Sequence, residues 1–202
     1  MTDSPHEFLR EDGDIGPLVD THGELTFDPA DDLFARLVVS ICRQQVSMAS
    51  AAATRDRLFD AVEVTPAGIR DADDDLLRDA GLSRQKTRYV NEAAEAFTEQ
   101  GYSIESLSEL DDDAIREHLT TITGVGTWTA DMQLLFSFGR PDVFPVGDLG
   151  IRKGFENVVG EAYSRAEMTE YAQQWAPYRS YASLYLWRAE EDIAESVAEV
   201  ND

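Results

Sequence analysis

Cysteine and long apolar runs are scarce in this 202-residue chain, and each scarcity excludes a class of protein. The single cysteine, Cys42, excludes an internal disulfide, a cysteine-based zinc site and a cysteine-ligated iron–sulfur cluster. No run approaches the roughly 18 apolar residues of a membrane span, and the first residues lack the basic and apolar regions of a signal peptide. We therefore expect a cytoplasmic protein without a membrane partner, with Cys42 in its core.

Positive charge is scarce as well. There are 40 acidic residues against 17 basic ones, the net charge is −23, and only Lys86 and Lys153 are lysines. Acidic, lysine-poor surfaces are typical of halophilic proteins, so we expect a chain adapted to high salt. Because salt weakens contacts between phosphates and cationic side chains, a polyanion would be held here by backbone N–H groups, apolar wedges and pocket contacts.

Alternating strand patterns are almost absent, and Glu24–Phe27 is the one weak candidate. Helical spacing of apolar residues predicts an all-α chain of about ten short helices, in one large domain or two lobes. We expect an irregular arm over residues 1–30, a helical core over 31–197 and an acidic tail over 198–202. Asp31 or Asp32 is expected to cap the first core helix.

Further helix starts and ends follow from capping residues and from glycine or proline. Ser47 is expected to cap a helix that runs to Ala61. The other predicted helices begin at Pro66 and near Asp73, or cover residues 86–97, 111–119, 127–138, 149–159, 165–175 and 178–197.

The segment Gly124-Val125-Gly126 separates two predicted helices, 111–119 and 127–138. A glycine turn that opens a helix exposes backbone N–H groups, and these can hold a phosphate. The alternative is a plain turn, since glycine often ends a helix. The apolar Ile122 before the turn and the immediate start of the next helix favour the phosphate site.

Asp148 follows Pro145-Val146-Gly147 and begins another predicted helix. It is either an ordinary N-cap or a carboxylate that acts on a nucleotide, and the two roles are compatible. Cleavage of an N-glycosidic bond builds positive charge on C1′ and the ring oxygen. A fixed carboxylate stabilises that charge and can orient or deprotonate the attacking water.

Trp128 and Trp187 are either core residues or aromatic walls on which a flipped, cationic base would stack. Gln44-Gln45 and the segment 81–84 lie at helix junctions. They are either ordinary loop residues, or one fills the gap left by an extruded base while the other wedges into the opposite strand.

The chain resembles helix-hairpin-helix DNA glycosylases with a Gly/Pro-rich loop and an Asp, and it is most similar to the 3-methyladenine DNA glycosylase II branch. The resemblance spans roughly residues 32–190. The segments that carry it are Ile41–Ser47, Gly81–Lys86, the glycine hairpin, Asp148–Lys153 and Trp175–Trp187. It implies an all-α, two-lobed fold that binds duplex DNA as a monomer.

The resemblance also implies roles for individual residues. Asp148 matches the catalytic Asp, and Trp128 stands where bifunctional relatives carry a Schiff-base Lys, which implies base removal without a lyase step. The base-pocket positions are Trp128, Met132 and Trp187. The DNA-binding positions are Gln44, Gln45, Leu82, Arg84, Gly124, Gly126 and Thr127. The carbonyls of Thr120, Ile122 and Val125 match a site for K⁺ or Na⁺, and no cofactor or iron–sulfur cluster is expected to be required.

The expected function is thus a monofunctional glycosylase that removes N3- and N7-alkylated purines. The alternatives are the same fold acting on other damaged or mismatched bases, a non-catalytic DNA-binding module, and a helical protein-interaction domain without a DNA role. We also expect the basic residues to form one strip in the acidic surface. The members of that strip would be Arg43, Arg84, Arg88, Arg152 and Lys153.

Overall fold

The computed structural model describes residues 4–160 and 163–190, and within these ranges the secondary structure is helical without a strand. The chain divides into two units. The central unit is Pro29–Phe138, and the terminal unit combines Met1–Asp28 with Gly139–Asp202. The expected all-α, two-lobed fold is confirmed. The chain segments that precede and follow the central unit therefore fold together.

The helices of the central unit are α3 (Leu33–Arg43), α4 (Met48–Ala61), α5 (Pro66–Asp71), α6 (Asp74–Asp79), α7 (Arg84–Gln100), α8 (Ile104–Leu107), α9 (Asp112–Thr120) and α10 (Thr127–Phe136). Those of the terminal unit are α1 (Pro5–Arg10), α2 (Gly16–His22), α11 (Leu149–Val158), α12 (Arg165–Tyr171) and α13 (Arg179–Arg188), with a 3₁₀ turn at Ala172–Trp175. Each described helix is too short or too polar to cross a bilayer.

The expectation of an irregular arm over residues 1–30 is wrong for two stretches, which form α1 and α2. Ser4 caps α1: its hydroxyl accepts from the N–H of Glu7, whose side chain accepts from the N–H of Ser4. With Pro5 at the first helical position, this reciprocal pair is a helix start that the sequence displays. Residues 24–27, the weak strand candidate, have no regular structure.

The predicted helix starts at Ser47 and Asp148 are confirmed, and Asp32 rather than Asp31 caps α3. The short α8 was not predicted, and the predicted helix 165–175 is an α-helix continued by a 3₁₀ turn. The last predicted helix is described as far as Arg188. Its expected extension to residue 197, and the acidic tail over 198–202, lie outside the described residues.

Helix α3 is the centre of the central unit, where it packs against α4, α7 and α10. Its side chains Leu37, Val38 and Ile41 are fully buried, and Cys42 is buried as expected. At its C-terminal end the Lys86 ammonium donates to the carbonyl of Cys42 at 2.7 Å, which satisfies one of the orphan carbonyls of the last turn. This bond therefore anchors the end of α3, where the following loop begins.

Candidate functional site

The carboxylate of Asp148 is held in place within the terminal unit. Its Oδ1 atom accepts from the backbone N–H of Ile151 at 3.1 Å, which makes Asp148 the N-cap of α11. The same oxygen accepts from the indole Nε1–H of Trp187, on α13, at 2.9 Å. Two donors from two helices thus fix the position of one carboxylate at a helix N-terminus, where the helix dipole favours its negative charge.

Close packing of α11 on α13 makes the contact between Asp148 and Trp187 possible. A Cβ atom added to Gly154 would lie 2.0 Å from the carbonyl oxygen of Leu186, so only glycine fits there. Trp187 is 5% exposed, and its bond to the half-buried Asp148 is partly buried. The backbone of two helices therefore sets the orientation of Asp148.

Arg152 holds the loop that leads to Asp148. Its Nη1 atom donates to the carbonyls of Val146, Gly147 and Asp148 at 3.1, 2.8 and 3.1 Å. Arg152 was expected only as one of the cations of a basic surface strip, and its contact with the loop was not predicted. The sequence feature that could have indicated this contact is the position of Arg152, four residues after Asp148 in the first turn of the helix that Asp148 caps.

The predicted glycine hairpin is present in the central unit between α9 and α10, which pack against each other. Gly124 has a φ of +87°, a left-handed conformation that favours glycine. The N–H of Val125 donates to the carbonyl of Ile122 at 3.0 Å, and Gly126 is the N-cap of α10. Within the described residues, the N–H groups of Gly124 and Gly126 have no hydrogen-bond acceptor, the condition an anion site needs.

The carbonyls matched to a monovalent cation lie at the end of α9, for Thr120, and in the turn that follows it, for Ile122 and Val125. Thr120, Ile122 and Val125 would supply neutral backbone oxygens, the donor type that suits K⁺ or Na⁺. Of these three carbonyls, that of Ile122 already accepts from the N–H of Val125 at 3.0 Å. Among the residues that the structure describes, His, Cys, Asp and Glu form no group of three that could ligate a metal.

An ion pair that was not predicted from the sequence joins the two hairpin helices. Arg116 of α9 donates from Nε to Oδ1 of Asp131, on α10, at 2.7 Å and from Nη1 to Asp113 at 2.8 Å. Burial raises the pKa of the Asp131 carboxyl, and the bond to Arg116 opposes that rise only in part. No spacing rule shows this pair, because the turn brings the two helices together.

Leu82, one of the predicted DNA-binding residues, is only 3% exposed and lies in the core of the central unit. The N–H of Leu82 donates to the carbonyl of Leu77 and that of Gly81 to Arg78, while Gly81 has a φ of +110°. This is the Schellman motif, in which the residue after the glycine packs back on the helix. The exposed residues of this loop are Gly81, Ser83 and Arg84.

The two glutamines after α3 differ in environment. Gln44 is half-buried, and its amide donates to the carbonyl of Gly124 at 2.9 Å and to the Thr129 hydroxyl at 3.2 Å. Gln45 is exposed and has a φ of 57°, the one non-glycine residue with positive φ in the described ranges. Backbone strain of this kind is concentrated at functional positions.

The remaining predicted residues lie as follows. Trp128 and Thr127 are in the first turn of α10, half-buried and exposed respectively, while Met132, one turn further on, is 6% exposed. Of the cations expected to form one strip, Arg88 lies 3.4 Å from Glu92 and Lys153 lies 2.9 Å from Glu190. These two therefore have carboxylate partners within their own units.

Residues 38–177 match the family model described as the HhH-GPD superfamily base excision DNA repair protein. The chain belongs to this superfamily. Among curated relatives, DNA-3-methyladenine glycosylase 1 of Schizosaccharomyces pombe is 32% identical over 164 residues, which cover 77% of this chain and 71% of that protein. The Bacillus subtilis protein YfjP is 34% identical over 128 residues, 62% of this chain but only 45% of that protein's length.

Among solved structures, this chain is also similar to 3-methyladenine DNA glycosylases. The S. pombe 3-methyladenine DNA glycosylase Mag1, in complex with abasic DNA, superposes with a TM-score of 0.83 at 28% identity over 92% of this chain and 96% of that one. A DNA-3-methyladenine glycosidase from Bacillus halodurans gives a TM-score of 0.80 at 32% identity over 98% of this chain and 93% of that one. The chain is thus similar along most of its length to two proteins that are named as 3-methyladenine DNA glycosylases or glycosidases.

Proposed function

We propose that this HhH-GPD protein is a monofunctional DNA glycosylase that removes alkylated purines from duplex DNA by hydrolysing the N-glycosidic bond. The observation that carries the proposal is the carboxylate of Asp148, held by Ile151 and Trp187 at the start of α11. The relatives named for 3-methyladenine support the substrate class.

Asp148 is the catalytic residue in this proposal. As the glycosidic bond lengthens, positive charge develops on C1′ and the ring oxygen, and a fixed carboxylate stabilises it without reorganising. The carboxylate also orients and deprotonates the attacking water. A purine alkylated at N3 or N7 already carries positive charge and leaves without being protonated, so one carboxylate suffices.

The base would contact Trp128, Met132 and Trp187, since a cationic ring stacks well on indole and against a thioether. Trp128 offers no amine for a Schiff base, so the product is an abasic site in an intact strand. Gln45 would fill the gap left by the extruded base, while Arg84 and the N–H groups of Gly124, Gly126 and Thr127 would contact the DNA backbone. The cation at Thr120, Ile122 and Val125 would assist the same backbone contact.

The test is incubation of the protein with methylated duplex DNA in concentrated potassium chloride, followed by chromatography of the released bases. The proposal expects free 3-methyladenine and 7-methylguanine, and strand breaks only after alkaline treatment of the abasic product. Breaks without alkali would contradict the monofunctional chemistry. Absence of released methylpurines would contradict the substrate class, and a parallel digest with deaminated, oxidised and mismatched duplexes would identify an alternative one.

A further inference from the structure

The turn of the hairpin is held from two sides by residues outside the hairpin. On one side, the amide of Gln44 donates to the carbonyl of Gly124 at 2.9 Å and to the hydroxyl of Thr129 at 3.2 Å. On the other side lies the ring of Tyr89, on α7. A Cβ atom added to Gly124 would lie 2.3–2.5 Å from three atoms of that ring. The Tyr89 hydroxyl in turn accepts from the Gln85 amide.

The Gln44 bond fixes a complete peptide group. The carbonyl of Gly124 and the N–H of Val125 belong to the same planar peptide, and that N–H donates to Ile122 at 3.0 Å. With this peptide held at both ends, the neighbouring peptides that carry the N–H groups of Gly124 and Gly126 have little freedom to rotate. The turn therefore presents these donors in one arrangement before any ligand arrives.

Gln44 also connects the turn to the loop that carries Gln45. Gln44 is the C-cap of α3, Ser47 is the N-cap of α4, and only Gln45 and Val46 lie between them. The end of α3 is itself held by the bond from Lys86 to the carbonyl of Cys42. A shift of the Gln44 side chain away from Gly124 would thus free the hairpin turn from the Gln45 loop.

We propose that Gln44 is a positioning residue that does not contact DNA itself. It holds the phosphate-binding turn in its binding conformation and at a fixed position relative to Gln45. This reassigns the DNA-binding role expected for Gln44 from the sequence, and it rests on the proposed function of the protein. Preformed donors bind more tightly because no ordering of the turn has to accompany association. The gain is important in an acidic protein at high salt, where cationic side chains contribute little to phosphate binding.

The test compares Gln44→Met, which keeps the side-chain length but removes both donors, with Gln45→Met and with Gln100→Met, an exposed control at the end of α7. Two quantities are measured. The first is the set of amide NMR cross-peaks of Gly124, Val125 and Gly126 in the DNA-free protein. The second is the Kd for a duplex with a tetrahydrofuran abasic analogue at fixed potassium chloride.

Gln44→Met is expected to move the three cross-peaks and to weaken binding roughly tenfold. Gln45→Met weakens binding and leaves the peaks in place, and Gln100→Met changes neither. Unmoved peaks in Gln44→Met, or binding equal to that of Gln100→Met, would overturn the inference while the proposed function stands. Failure of the wild type itself to bind the duplex would overturn both.

A second variant covers the case in which Gln44→Met does not fold. In Gln44→Glu the ionised carboxylate cannot donate to the Gly124 carbonyl, whereas the protonated acid can. Lowering the pH through the titration of this carboxyl should return the three cross-peaks toward their wild-type positions. Cross-peaks that do not respond to this titration would contradict a role through the Gly124 carbonyl.

Discussion

The indole of Trp187 offers the sharpest test of how Asp148 is positioned. Trp187→Phe keeps an aromatic ring on α13 but removes the Nε1–H that donates to Asp148 at 2.9 Å. A hydrogen bond to a charged group contributes about 1.5–3 kcal/mol. If that amount is lost from the transition state, the rate falls roughly 10- to 150-fold. The remaining bond from Ile151 keeps the carboxylate at the helix start, so the lower half of this range is expected.

Trp175→Phe is the matched control. Trp175 lies in the same unit and is fully buried, and its Nε1 has no hydrogen-bond partner among the described residues. Both variants remove one indole from a packed interior and are expected to destabilise the fold by about 0.5–3 kcal/mol. Only Trp187→Phe should slow the chemical step.

The assay is single-turnover release of 7-methylguanine with saturating enzyme, below the unfolding range of each variant as measured by urea titration. Saturation separates the steps within the complex from DNA binding, and the phenyl ring of Trp187→Phe keeps an aromatic contact for the base. Equal rates for Trp187→Phe and Trp175→Phe would refute the argument that the indole donor orients Asp148.

Four further substitutions or reagents test other contacts. Arg152→Met should lower the single-turnover rate roughly tenfold while the Kd for DNA and its salt dependence stay the same, because Arg152 bonds to loop carbonyls. If the slope of log Kd against log salt concentration were smaller by about one than in the wild type, Arg152 would instead be contacting a phosphate. Gly154→Ala should cost roughly 2–3 kcal/mol in urea unfolding, since its methyl group would overlap the carbonyl of Leu186. Arg116→Met should destabilise the protein by roughly 3 kcal/mol at neutral pH, because it leaves the carboxylate of Asp131, 10% exposed, without its cation. The pKa of Asp131 is already raised, so the folded state keeps its proton over a pH range in which the unfolded state has lost it. Stability of Arg116→Met should therefore fall further as the pH rises through that range, and equal unfolding free energies at pH 5 and pH 8 would contradict this. Cys42 should resist thiol reagents in the native state and react after denaturation, because burial raises its pKa to about 11. Rapid labelling of the folded protein would show that the end of α3 opens.

Much of the fold follows from local signals in the sequence. Asp32, Ser47 and Asp148 mark helix starts because a short polar side chain next to an apolar pattern satisfies the exposed N–H groups of the first turn. The helices of the N-terminal segment were missed although Ser4 and Glu7 form a capping box, since α1 has only six residues and little apolar periodicity.

The site could be predicted only in part. Asp148 and the glycine turn are visible in the sequence because their chemistry depends on local spacing. The partners that orient them come from distant positions: Trp187 is 39 residues from Asp148, and Gln44 is 80 residues from Gly124. The DNA-binding role of Leu82 was expected from the family resemblance. The sequence does not by itself show that the glycine before Leu82 makes it a helix-end residue that packs inward.

Comparison of the wild type with Asp148→Asn tests the central claim, the catalytic role of Asp148, most directly. Asparagine keeps the helix cap and can accept from the same two donors, so the fold is preserved while the negative charge is removed. Asp32→Asn, at the cap of α3, is the control for such a change at a helix start. Single-turnover release of methylpurines in potassium chloride should be lost in Asp148→Asn and retained in Asp32→Asn, with DNA binding retained in both. Release by Asp148→Asn at the wild-type rate would contradict the account.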